Sequence, residues 1–163
     1  MRWADVDLTR AEWRQPTNKS DRPHLVPLSA PAVAILEAQP RRGGVPYVFT
    51  TAAGGRIDRR TSNVYRATAR FSAASGVSGW APHDLRRTAA SVLGEAKVPP
   101  VVIEQLLNHA EGAGKGSAVA GIYNRASYTV EKRQAVELLA KIVGQIAAGD
   151  TGNVVELRPA QAG

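Results

Sequence analysis

Clusters of turn-forming residues cut this chain into short segments, and the period of their apolar residues changes once, near residue 29. Before it, apolar and polar positions roughly alternate; after it, apolar residues recur at helical spacing. Arg2 to Leu8 reads as a strand, or as the end of a helix followed by a strand, and Glu12 to Gln15 as a second short strand. Pro16-Thr17-Asn18-Lys19-Ser20-Asp21 is rich in turn formers, and His24-Leu25-Val26-Pro27-Leu28 again has strand character. These segments predict a small antiparallel meander with Lys19 at or near a hairpin.

Ser29 is placed to cap a helix that has Pro31 just inside its start and runs through Leu36 and Ala38. Pro40 to Pro46 reads as a loop, Tyr47 to Thr50 as a short apolar segment, and Gly54-Gly55 as a break. Thr61 or Ser62 starts a second helix to about Ala74, with Val64, Ala67 and Phe71 as its expected buried stripe. A third helix runs from Asp84 to Ala96 and is expected to bury Leu85, Thr88, Val92 and Leu93. Pro99 or Pro100 opens a fourth, with Val102, Ile103, Leu106 and Leu107 on one face and its end near Asn108-His109. Thr129 or Ser127 caps the last, where Val136, Leu139, Ile142, Val143 and Ile146 keep helical spacing. The expected fold is α+β and mainly α-helical, a β-meander followed by a helical bundle. Residues 1–149 form one domain without internal repeats, and residues 150–163 a mobile tail.

The chain has 163 residues, 44% of them apolar, enough for a buried core. Its net charge of +7 and pI near 10.2 favour a polyanionic partner, nucleic acid above all, although a solvated cationic face has the same composition. There is no cysteine, so disulfides and thiolate-bound metals are excluded, and a reducing cytoplasm fits. His24, His83 and His109 are too scattered to suggest a metal site. No apolar run reaches transmembrane length and the first residues do not resemble a leader, so a soluble, unexported protein without a membrane partner is expected.

The chemistry concentrates in Pro82-His83-Asp84-Leu85-Arg86-Arg87-Thr88. If this run is helical, His83 and Arg86 share a face, which offers an imidazole beside a planar fork of donors suited to a phosphate diester. Arg87, four residues from His83, satisfies the same geometry. A tyrosine hydroxyl reaching that phosphate would be a nucleophile, and Tyr123 is the candidate, with Tyr128 its rival. Each residue also has a plainer reading: Tyr123 as a packing aromatic, His83 as a cap, His109 as a helix C-terminal cap, and Lys19 as an exposed turn lysine. His24 reads as structural or as facing a DNA backbone.

In order, Lys19 with His24-Leu25-Val26-Pro27-Leu28-Ser29, then Pro82 to Thr88, Leu106-Leu107-Asn108-His109 and Tyr123-Asn124-Arg125 resemble the tyrosine recombinase (phage integrase) family. Arg2-Trp3-Ala4-Asp5-Val6-Asp7-Leu8 also resembles that family's first strand, and the matches extend to about Arg133. The resemblance implies site-specific DNA recombination. Tyr123 would attack a phosphodiester and leave a 3′-phosphotyrosyl link with a free 5′-hydroxyl, so that neither metal nor other cofactor is needed. Arg86 would hold the non-bridging oxygens, with Arg87 pairing locally or touching the DNA backbone. His83 would accept or relay the tyrosine proton, His109 would donate to a phosphate oxygen, and Lys19 would protonate the leaving 5′-oxygen. The implied partners are double-stranded DNA and other recombinase protomers, with no small-molecule substrate. A type IB topoisomerase shares this chemistry, but Lys19, Asn108-His109 and Tyr123-Asn124-Arg125 favour the integrase.

The family carries a further catalytic arginine on a helix ahead of the strand resembling Arg2 to Leu8, and an N-terminal DNA-grasping domain before that. Met1 falls inside the strand region, and Arg2 is misplaced to substitute for that arginine. The expectation is therefore a partial catalytic domain, inactive or nearly so alone, since losing one such contact costs roughly 100-fold or more in rate. A gene remnant, a misplaced start or an excised fragment would each explain it. The alternative function is a non-catalytic, DNA-binding integrase remnant.

Overall fold

A computed structural model describes residues 1–16, 23–51, 53–57, 62–108 and 128–150. A single 3-10 turn, Trp3–Asp5, leads into β1 (Val6–Asp7), followed by β2 (Glu12–Gln15) and β3 (His24–Pro27). The three strands pair antiparallel in the order β1-β2-β3, with Val6 opposite Trp13 and Gln15 opposite His24. Asp7 Oδ1 accepts from the Arg10 amide at 2.9 Å, and this side-chain bond shapes the turn between β1 and β2. The expected meander is present, but of the segment Arg2–Leu8 only Val6–Asp7 is strand, after the 3-10 turn, and residues 17–22, with Lys19, lie outside the described residues.

Five helices are described: α1 (Ala30–Glu37), α2 (Ser62–Ser75), α3 (Pro82–Glu95), α4 (Pro100–Leu107) and α5 (Thr129–Ala147). Prolines mark three of their starts: Pro31 in the first turn of α1, and Pro82 and Pro100 as the first residues of α3 and α4. Tyr128, rather than Thr129, is the N-cap of α5, because its carbonyl takes the Lys132 amide at 2.8 Å. Both α3 and α5 end in a left-handed residue with the reciprocal bonds of a Schellman turn. At α3, Lys97 N–H bonds Gly94 O and Val98 N–H bonds Leu93 O, both at 3.0 Å.

Two apolar clusters hold the sheet, α1, α3, α4 and α5. Leu28, Leu36 and Val48 are buried between the sheet and α1, with Trp3, Val6, Leu8 and Trp13 around them. Leu93, Val102, Leu106 and Ala135 are buried where α3, α4 and α5 meet, and Val26 of β3 packs against them. Arg133 of α5 adds a polar tie, donating to Arg10 O at 3.1 Å and approaching Glu12 at 3.5 Å.

The fold is α+β with the sheet ahead of the helices, as expected, but three buried stripes differ from expectation. Leu85 of α3 is 63% exposed and Thr88 is exposed, whereas Leu93 is fully buried and Arg86, Ala89 and Ala90 are half-buried. The covered arc of α3 is thus turned about one position from Leu85. In α2, Phe71 is 66% exposed and Ala67 exposed, while Val64 and Thr68 are the better covered residues. In α5, Val136, Leu139 and Ile142 are half-buried, but Val143 and Ile146 are exposed. A 19-residue helix spans about 28 Å against about 12 Å for the eight residues of α4, so the last turns of α5 overhang α4.

Candidate active site

The first turn of α3 presents the histidine and arginines singled out in the sequence. Its cap comes from Asp84, whose Oδ2 accepts the Ala81 amide at 2.9 Å. That hydrogen bond, more than the nearby Arg87 and His83, holds the Asp84 carboxyl below its usual pKa. The capping task assigned to His83 as its plainer reading therefore falls to Asp84, and His83 is left exposed at the second helical position. Arg87 turns sideways to Asp84, with Nη1 at 3.4 Å from Oδ1, in a solvent-exposed pair.

Arg86 behaves differently. It lies on the inward arc of α3, seven residues before Leu93, and its Nη2 donates to the carbonyl of Leu107. A helix leaves its last carbonyls without internal partners, and Leu107 ends α4. Asn108 follows in the left-handed conformation, φ 51°, and its N–H returns to Gln105 O at 3.4 Å. The guanidinium is thus held at the negative end of a helix by an acceptor that carries no net charge. Arg86, not Arg87, occupies the protected position, although sequence spacing allowed both.

His24, which the sequence suggests is structural or faces a DNA backbone, and Lys132, which the sequence does not single out, stand beside it. His24 of β3 reaches the other orphan carbonyl of α4, with Nε2 at 3.2 Å from Leu106 O. A carbonyl only accepts, so Nε2 carries the proton. Burial first, then the neighbouring charge of Lys132, pushes the His24 pKa down, with Arg86 adding to the effect. Lys132 of α5 is 5% exposed and donates from Nζ to Leu25 O at 3.0 Å; burial lowers its pKa. The readable signal for Lys132 was its place on the arc of Ala135, Val136 and Leu139, where an ammonium is out of pattern. For His24 it was the two-residue step to Val26, which puts both on one side of β3.

His83 and Arg86 are thus one turn apart on α3, while Lys19, His109 and Tyr123 lie outside the described residues. Tyr128, the rival nucleophile, is half-buried against the Leu93 cluster. Among the described residues no three His, Asp or Glu side chains converge as a metal site would require, and no helix is long and apolar enough to cross a membrane.

Comparison with known proteins bears on the family. No solved structure gave a significant match. Prophage integrase IntA of Escherichia coli (strain K12) is 33% identical over 158 residues, covering 94% of this chain and 36% of its own length. Prophage integrase IntZ of the same strain is 33% identical over 161 residues, covering 95% of this chain and 37% of its own length. The chain therefore spans little more than a third of the relatives it matches. The phage integrase family matches residues 1–129, a stretch that includes the sheet, the first turn of α3 and the end of α4, so this chain belongs to the phage integrase family of tyrosine recombinases.

Proposed function

We propose that this chain is the catalytic portion of a site-specific DNA recombinase, with residues 1–149 as its domain and 150–163 as a tail. The observation that carries the reading is Arg86: a half-buried guanidinium, oriented by the Leu107 carbonyl and not cancelled by a carboxylate among the described residues, one turn from an exposed His83. Such a cation attracts a phosphate diester and favours the extra charge of its pentavalent transition state. Tyr123 Oη forms a bond to phosphorus as the bond from phosphorus to the 5′-oxygen breaks. His83 accepts the phenolic proton, Lys19 protonates the departing oxygen, and His109 donates to a non-bridging oxygen. A 5′-hydroxyl of a second strand reverses these steps and rejoins the DNA, so bond energy is conserved without a cofactor. The partners are duplex DNA and further recombinase protomers.

Arg86 is one arginine of the family's pair, and a site that holds the phosphate through one such contact cleaves roughly 100-fold or more below a site with both. The test is covalent trapping on a nicked duplex that releases its cleaved end and so accumulates slow events. A protein–DNA adduct that grows over hours and disappears in Tyr123→Phe supports cleavage. Salt-sensitive duplex binding without any adduct supports the non-catalytic, DNA-holding reading instead. An adduct that persists in Tyr123→Phe overturns the assignment of the nucleophile.

A further inference from the structure

Three side chains from three elements donate to main-chain carbonyls around the end of α4: Lys132 to Leu25 O, His24 to Leu106 O and Arg86 to Leu107 O. The first bond ties α5 to β3, the second ties β3 to α4, and the third ties α3 to α4. They form a continuous chain of links across all four elements. Packing does not account for the Lys132 amine, because a buried ammonium carries a desolvation cost that a methionine of similar length avoids. What the amine adds is direction, since it fits one acceptor in one place.

These four elements flank the proposed reacting groups. β3 begins five residues after Lys19, α3 carries His83 and Arg86, the last carbonyl of α4 is two residues before His109, and α5 begins six residues after Tyr123. We propose that His24 and Lys132 are positioning residues: with Arg86 they form a clamp of carbonyl-directed hydrogen bonds that fixes, relative to one another, the four segments bearing the cleavage site. This inference rests on the recombinase reading for its purpose, but the clamp itself is a property of the fold. Its value lies in precision, because a displacement of about 1 Å in a reacting group costs about 100-fold in rate.

The test uses the 163-residue chain and paired variants. Lys132→Met and His24→Leu remove a donor, while Lys132→Arg and His24→Gln keep one. The first readout is exchange of the Arg86 Nη2 protons with water, followed by nitrogen-15 NMR, with the Leu36 and Val48 amides of the other core as a folding control. Exchange should accelerate about tenfold in the Met and Leu variants, with the control amides unchanged, and recover in the Arg and Gln variants. The second readout is the trapping rate at saturating DNA, expected to fall by about 100-fold in the Met and Leu variants with duplex affinity unchanged. Should Lys132→Met lose its fold, the His24 pair carries the same test. Unchanged Arg86 exchange in the folded Met and Leu variants, or equal loss in both members of each pair, overturns the clamp. If exchange responds as expected but the unmutated chain forms no Tyr123 adduct, the clamp stands and the cleavage reading fails.

Discussion

Lys97→Gly should make the protein more stable. Lys97 follows the last turn of α3 with φ 64°, the left-handed region where a Cβ crowds the neighbouring carbonyl. The equivalent place after α5 holds Gly149, φ 76°, with the same pair of reciprocal bonds, Gly149 N–H to Ile146 O and Asp150 N–H to Gln145 O, both at 3.0 Å. Removing the Cβ at Lys97 relieves about 1–2 kcal/mol. Against this, glycine has more unfolded-state freedom to lose, about 0.5–1 kcal/mol, and the exposed lysine's attraction to the helix C-terminus, about 0.3 kcal/mol, disappears. The net gain is about 0.5 kcal/mol. With a urea dependence of about 2 kcal/mol per molar, the unfolding midpoint should rise by about 0.25 M at unchanged slope. Lys97→Val, which puts a branched side chain at the same φ, should lower the midpoint. Because Val98 must remain against Leu93 to close this turn, the pair also reports whether the link from α3 to α4 is built as described. A lower midpoint for Lys97→Gly, at the same slope, would refute the argument that the left-handed lysine stores strain.

The exposed and buried arcs of the helices give a second contrast: Leu93→Ala should destabilise by about 3 kcal/mol and Phe71→Ala by less than about 0.5 kcal/mol, as read by urea unfolding. At the α3 start, Asp84→Ala should lower the thermal midpoint and Arg87→Ala should leave it nearly unchanged, because the Ala81 amide bonds Asp84 and the Arg87 pair is exposed. The depressed His24 pKa means that the unfolded chain binds a proton there more readily than the folded one. Its contribution to stability is therefore complete above the ordinary pKa of 6.5 and declines as pH falls below it towards the folded-state value. Urea titrations between pH 7.5 and 5 should show that loss, and His24→Gln should flatten it. Stability that increases on acidification through this window in the unmutated chain, but not in His24→Gln, would contradict the assigned direction.

Much of the element plan was legible because it rests on local chemistry. Glu12–Gln15 forms the predicted strand, Pro31 and Pro100 sit in the first turns of their helices, and α4 stops at Asn108. Each depends on backbone freedom within a few residues, which residue type fixes directly. The rotation of each helix was not legible in the same way. Apolar spacing on α3 lets Leu85 and Thr88 join Val92 and Leu93 on the covered side as well as it lets Ala89 and Ala90 do so. The choice falls to the helices packed against it.

The sequence by itself therefore determined β2 and β3, the proline-marked starts of α1 and α4, and the order of the residues resembling an integrase site. Helical spacing left Arg86 and Arg87 equivalent and the family resemblance favoured Arg86; the tertiary structure added the physical difference, turning Arg86 towards the end carbonyls of α4 and Arg87 towards Asp84. It also brought His24, Arg86 and Lys132 to the end of one short helix from positions far apart in the chain. The physical reason is that helical period sets which residues share a face, whereas unsatisfied carbonyls and close-packed neighbours decide where that face points.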